Sequence, residues 1–164
     1  MVLIKDSGSR TEFKTGAVRD IQEGKGRCDL MPLGVVSALV NSIEIYAIEH
    51  FRLTGNVYYL HQCLKYFQLR GTNFLKVEMM LLDVAKHFEE GAKKYGENNW
   101  QKGIPLHSYI DSAVRHYLKY SAGITDERHD RAFVWNILCA IWTIQNKPEL
   151  DDFTVRKEER NASY

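Results

Sequence analysis

Three polar clusters in this sequence carry residue types suited to phosphate and metal chemistry. They are HFEEGAKKYGENNW at 87–100, DSAVRH at 111–116 and DERHDRAFVWN at 126–136. Each mixes carboxylates with Lys, Arg or His. Carboxylate oxygens suit hard divalent cations, which keep their remaining positions for water and substrate phosphate. A bound Mg²⁺ polarises a phosphoryl oxygen and activates water, and Arg and Lys clamp a polyphosphate. In the first cluster Glu89 and Glu90 are adjacent. Asp83, His87 and Glu90 share one helix face, and Lys86, Glu89 and Lys93 share its neighbour. In the second, Asp111 and Arg115 stand at i,i+4 with His116 beside them. In the third, Glu127 and Asp130 are i,i+3, and His129, Ala132 and Asn136 form a stripe. Taken singly, each has a plainer reading: solvated charge pairs for the acids, and a structural amide satisfied by a neighbouring helix for Asn136. Three such faces on successive helices point to one shared cavity.

Two further stretches add candidates. Arg10, Arg19, Lys25 and Arg27 lie among Gly8, Gly16, Gly24 and Gly26, and glycines let backbone N–H groups approach phosphate. Gly24-Lys25-Gly26 lacks the GxxxxGK[ST] spacing of a Walker A loop. In the loop 96–104, Asn99 beside Trp100 could hydrogen-bond and stack a base, or Trp100 could plug the bundle end.

The elements that position these groups read as helices. The first starts near Pro32 and runs to Phe51, with Val35, Val36, Leu39, Val40, Ile43, Tyr46, Ala47 and Phe51 as its core-facing stripe. Breaks at Thr54-Gly55-Asn56 and Gly71-Thr72-Asn73 bracket a second, over 57–69. A third, about 74–95, turns Leu75, Met79, Leu82, Ala85 and Phe88 inward and stops at Gly96. A fourth covers about 106–121 and stops at Gly123. The last, about 126–146, is capped by Thr125 or Asp126 and ended by Pro148. The expectation is a single all-α domain over 1–164. It comprises a Gly/Arg-rich arm (1–30), read as an ordered arm or loop that Phe13, Ala17, Val18 and Ile21 could dock, a bundle of four or five helices (31–147) and a charged, frayed tail (148–164).

The composition fits a globular chain of 164 residues, with 45% hydrophobic and 26% charged residues. With 22 Lys+Arg against 21 Asp+Glu the net charge is +1, which argues against a nucleic-acid-binding surface and makes any anion site local. No apolar run approaches the ~20 residues of a membrane helix, and the N-terminus has no signal-peptide pattern. Cys28, Cys63 and Cys139 lack zinc-ligand spacing and read as reduced thiols of a cytoplasmic protein, with Cys139 in the core.

The blocks DSGSR…F..GAVRD…GKGR.DL..P, GAKKYGENNW.KG, DSAVRHYLKYSAG..DE.H and WNILC occur in this order over about 6–36 and 75–142. In them the chain resembles the phage and bacterial dATP/dGTP diphosphohydrolase N-terminal domain family, relatives of the MazG-like all-α nucleotide pyrophosphohydrolases. The resemblance implies a MazG-like bundle, usually a homo-oligomer; the short chain and the aromatics of 57–67 add the expectation of a dimer or tetramer. The implied reaction is Mg²⁺- or Mn²⁺-dependent hydrolysis of a purine dNTP to the monophosphate and pyrophosphate, in nucleotide-pool control during phage replication. By the EExxE and ExxD pattern of the wider group, Glu89, Glu90, Glu127 and Asp130 would hold metal. Lys93 stands where a third carboxylate is usual, and Asp111 would substitute for it. Glu90, Asp111 or Glu127 would orient the attacking water. Arg10, Arg19, Lys25, Arg27, Lys94, Tyr95, Asn99, Trp100, Arg115, His116 and Asn136 would bind substrate. Two alternatives stand beside this. His129-Asp130 is an HD dyad, with His61, His87 or His116 as partners, and an HD-type enzyme would release intact triphosphate. Lys93 in place of an acid would suit a catalytically silent nucleotide-binding module.

Overall fold

A computed structural model describes residues 7–70 and 76–155. The expected features at residues 1–6, the 71–73 break, Leu75 and the tail beyond 155 lie outside the described residues. The architecture is all-α, as expected. Six α-helices occur among the described residues: α1 (Leu33–Leu39), α2 (Ile43–Thr54), α3 (Tyr58–Leu69), α4 (Val77–Tyr95), α5 (Leu106–Ser121) and α6 (His129–Asn146). Helices α5 and α6 pack most extensively against each other. α4 lies on α6, α3 bridges α2 and α6, and α1 lies on α2. The core runs through Phe51, Phe67, Tyr109, Ile110, Tyr117, Phe133 and Ile137.

The long first helix is two helices. Asn41 turns left-handed at φ 51°, a conformation Asn tolerates better than most residues. Ser42 then caps α2 by accepting the Ile45 N–H at 3.1 Å. The break resets the helical phase, so the expected stripe holds at Ala47 and Phe51, and partly at Val36, but fails elsewhere. Val35 and Leu39 are exposed, as are Ile43 and Tyr46, while Leu33, Ile45, Ile48 and Phe51 are buried. Helix α4 differs by one residue of register. Met80, Val84 and His87 are buried, whereas Met79 and Leu82 are exposed, and so is Ala85. The buried positions 80, 84 and 87 end in a histidine, so apolar periodicity favoured the neighbouring stripe, of which Phe88 does pack against the core.

A fully buried carboxylate ties α2 to α5. Glu44 accepts hydrogen bonds from Tyr117 Oη (3.0 Å) and Ser42 Oγ (3.1 Å) and pairs with Arg70 Nε at 2.5 Å. Such partners offset the desolvation of the charge.

The arm is ordered and docks through Ala17 and Phe13, as expected, but it also pairs as a hairpin. Strands β1 (Arg10–Glu12) and β2 (Val18–Asp20) pair antiparallel, Thr11 opposite Arg19, and a 3₁₀ turn follows at Cys28–Leu30. The start of the tail is docked rather than frayed. Phe153 is buried against Phe51, and the Val155 N–H donates to the Arg52 carbonyl at 2.9 Å. Thr15 of the arm donates to the Gly103 carbonyl. At Gly103 (φ 122°) a Cβ would meet Leu150 at 2.8 Å and Thr15 at 3.0 Å. Arm, loop and tail therefore converge where only glycine fits.

Candidate functional site

A cavity of about 730 Å³ opens between the hairpin and helices α4, α5 and α6. Val18, Arg19, Asp20, Gln22 and Lys25 line it from the arm, and His87, Phe88, Glu89 and Tyr95 from α4. Ser112, Arg115, His116 and Lys119 line it from α5, and Ala132, Trp135 and Asn136 from α6. The loop after α4, with Asn99, Trp100 and Ile104, and Glu127 before α6 add to the wall. On α5 the polar residues recur at i, i+3, i+4, i+7, one helical face. That spacing could have picked out Ser112 and Lys119, which the sequence reading passed over, as it did Trp135.

Arg19 is the pivot of the arm. Its guanidinium donates to the Ser108 carbonyl (3.0 Å), Ser112 Oγ (3.1 Å) and Asn136 Oδ1 (2.9 Å). It lies 5.2 Å from the Tyr109 ring centroid and 5.8 Å from that of Trp135. All these partners are neutral, and among the described residues no carboxylate pairs with it. Burial pulls its pKa below the ordinary arginine value. A cation enclosed this way, facing a cavity, favours an anion there.

The arm is held by side chains from the bundle. Asn99 takes the place of a third strand: it accepts the Val18 N–H at 2.8 Å and donates to the Val18 carbonyl at 2.7 Å. Asp111 is fully buried; it accepts the Cys28 N–H at 2.6 Å and pairs with Arg115. Arg115 in turn donates to the Gly26 carbonyl at 3.0 Å. Asn99, expected at substrate, lines the cavity but also clamps the arm, whereas Asp111, expected at water, is occupied in docking the arm and does not line the cavity.

Of the other expected substrate contacts, Lys25, Tyr95, Trp100, Arg115, His116 and Asn136 line the cavity with Arg19. Arg10, Arg27 and Lys94 are not among the lining residues. Arg27 pairs with Asp29 at 2.6 Å, and Arg10 and Lys94 each stand 5.1 Å from the Tyr95 ring.

The carboxylate quartet expected to bind Mg²⁺ does not assemble. Glu89 is exposed and pairs with Lys93 at 2.5 Å. Glu90 faces Arg131 at 3.4 Å. Asp130 is gripped by Arg128 through two bonds, 2.9 and 2.8 Å, and neither Glu90 nor Asp130 lines the cavity. The physical reason lies at the start of α6. The helix begins at His129, and Arg128 takes the flanking position with ψ 77°. Glu127 therefore sits in a bend before the helix, off the i,i+3 face it was to share with Asp130. Asp126 does not cap; it accepts from His129 Nε2 at 2.7 Å.

What Glu127 joins instead is a pair of imidazoles. His116, Glu127 and His129 form the one group of three ligand-type side chains within metal-binding reach among the described residues. Burial holds the His116 pKa well below the usual histidine value, with His129 adding to the effect. His87, buried on the cavity wall 5.6 Å from Trp135, is pulled down to about 3 by burial, with Arg131 and Arg19 contributing. It is a neutral hydrogen-bonding group at ordinary pH. The HD dyad does not form a unit, because Asp130 is turned to Arg128, and His61 is exposed on α3.

No described helix is long and apolar enough to cross a membrane, and all three cysteines are free, with Cys139 buried. No curated protein and no solved structure matches the chain. Residues 71–153, which carry α4, α5, α6 and most of the cavity wall, match the family model described as dATP/dGTP diphosphohydrolase, N-terminal. By that match the chain belongs to the dATP/dGTP diphosphohydrolase N-terminal family.

Proposed function

We propose that the cavity binds a purine deoxynucleoside triphosphate and hydrolyses it, with a divalent ion, to the deoxynucleoside monophosphate and pyrophosphate. Water oxygen bonds to the α-phosphorus, the bond from that phosphorus to the α–β bridging oxygen breaks, and pyrophosphate leaves with the bridging oxygen. The observation that carries the reading is Arg19, a cavity-facing guanidinium with only neutral partners. Family membership supplies the substrate class. The volume of about 730 Å³ falls within the roughly 300–1,000 Å³ of small-molecule sites.

In this reading Arg19, Lys25, Arg115 and Lys119 neutralise the triphosphate. Tyr95, Trp100 and Trp135 supply flat apolar walls for the base, and neutral His87 and Asn136 supply hydrogen bonds. Glu127, with its two imidazole neighbours, is the carboxylate placed to handle water. A homo-oligomer remains part of the reading, supported by the exposed Leu39, Leu69 and Leu82. Such an activity would remove purine triphosphates from a nucleotide pool, in the phage setting that the sequence resemblance implies.

The test is incubation with each dNTP and Mg²⁺ or Mn²⁺, with all products resolved by chromatography. Purine dNMP with pyrophosphate is expected. Nucleoside with triphosphate would transfer the chemistry to an HD-type reaction, and binding without turnover would leave a nucleotide-binding module. Arg19→Met should weaken nucleotide affinity roughly 10- to 150-fold, the worth of ~1.5–3 kcal/mol for a hydrogen bond to a charged group. Unchanged affinity would remove Arg19 from the site.

A further inference from the structure

We infer that His116, Glu127 and His129 form a binding site for a borderline divalent ion such as Zn²⁺ or Co²⁺, in preference to Mg²⁺. The three side chains come from different places: α5, the bend before α6 and the first residue of α6. His116 Nδ1 and His129 Nδ1 are 2.9 Å apart. Glu127 Oε1 lies 3.6 Å from the first and 3.5 Å from the second. The circle through these three atoms has a radius of about 1.9 Å. Metal–imidazole and metal–carboxylate bonds are ~2.0–2.2 Å long, so an ion fits between them with a displacement of a few tenths of an ångström, of the order of one bond-length tolerance.

The tautomer supports this. Asp126 Oδ1 can only accept, and it stands 2.7 Å from His129 Nε2. The proton of neutral His129 therefore sits on Nε2, and the Nδ1 lone pair points at His116 and Glu127. A carboxylate behind the far nitrogen is the usual support of a metal-binding imidazole. Without an ion, a single proton on His116 Nδ1 would bridge the two rings; an ion would take its place.

Two nitrogens and one oxygen suit borderline metals, whereas Mg²⁺ prefers an all-oxygen shell. Three protein ligands leave coordination positions open. His116 and Glu127 line the cavity while His129 stands behind them, so those positions face the cavity. The inference rests on these side chains alone and holds whether or not the cavity hydrolyses nucleotide.

The experiment is equilibrium dialysis of the untagged, chelator-stripped chain against each metal, without nucleotide, with bound metal read by elemental analysis. About one Zn²⁺ or Co²⁺ per chain is expected, retained against excess Mg²⁺. Glu127→Gln combined with His129→Gln should abolish it. Because that variant alters the start of α6, Asp126→Asn provides a second arm that keeps all three ligands; it should weaken Zn²⁺ binding by ~10- to 100-fold. Zn²⁺ should raise the melting temperature of the parent chain. Displacement by the same excess of Mg²⁺, undiminished binding in the double variant, or unchanged affinity in Asp126→Asn would each overturn the site.

Discussion

The clamp between Asn99 and the hairpin offers the sharpest perturbation. Asn99 is buried at 6% exposure and makes two short bonds to one residue, accepting from the Val18 N–H and donating to the Val18 carbonyl. Asn99→Ala removes both partners at once. The two Val18 groups lie at a partly buried position, where water can recover some of the loss. The lower end of the ~1–3 kcal/mol cost of an unsatisfied group then applies to each, about 2 kcal/mol in all. The rest of the core does not depend on this contact, so the effect should appear as local opening of the arm rather than global unfolding. Native-state hydrogen exchange should show the amides of Val18 and Arg19 exchanging ~30-fold faster, with amides of α5 and α6 unchanged. Asn99→Asp is the informative companion. It keeps an acceptor for the Val18 N–H but sets an oxygen against the Val18 carbonyl. If Val18 exchanges at the parent rate in Asn99→Ala, the arm is held by other contacts and the reasoning is wrong. Since Arg19 rides on the same strand, nucleotide affinity should fall along with protection.

Other consequences follow from buried polar groups. His87 titrates at about 3 in the folded chain and near 6.5 when unfolded, so below pH 6.5 the unfolded chain binds a proton that the folded one refuses. Its contribution to stability is whole above pH 6.5 and is lost as pH falls toward 3. At pH 5.5 the loss is about 1.4 kcal/mol, and His87→Gln should flatten the denaturation-midpoint profile between pH 6.5 and 4; an unchanged slope would place the titration elsewhere. Tyr117→Phe strips one donor from fully buried Glu44. It should cost ~1–3 kcal/mol and lower the melting temperature by ~2–4 °C per kcal/mol, and a change under ~1 °C would mean Ser42 and Arg70 suffice.

Helices α4 and α5, and the end of α6, were legible from local signals. Gly96 ends α4 and Pro148 follows α6, each acting through its own backbone. The ordered blocks around GAKKYGENNW and DSAVRH identified the family, and the i, i+3, i+4, i+7 polar face of α5 held several of the residues that line the cavity. Where chemistry depends on which of two faces turns inward, the sequence was no guide. The stripe through Met80 carries His87, so apolar periodicity pointed to its neighbour through Met79, and only packing against α6 turned the former inward. The hairpin strands of three residues are too short to show a period; Asn99 from a distant segment completes the hydrogen bonds of Val18 on the second strand, while Asp111 and Arg115 hold the chain that follows at Gly26 and Cys28. The clearest case is Glu127. On an uninterrupted helix it would have joined Asp130 as a carboxylate pair. The tertiary structure starts α6 at His129, about three residues later than expected, and gives Asp130 to Arg128, leaving Glu127 beside two histidines. Sequence spacing reports positions along an assumed helix; where that helix begins was decided by ion pairs and packing between elements far apart in the chain.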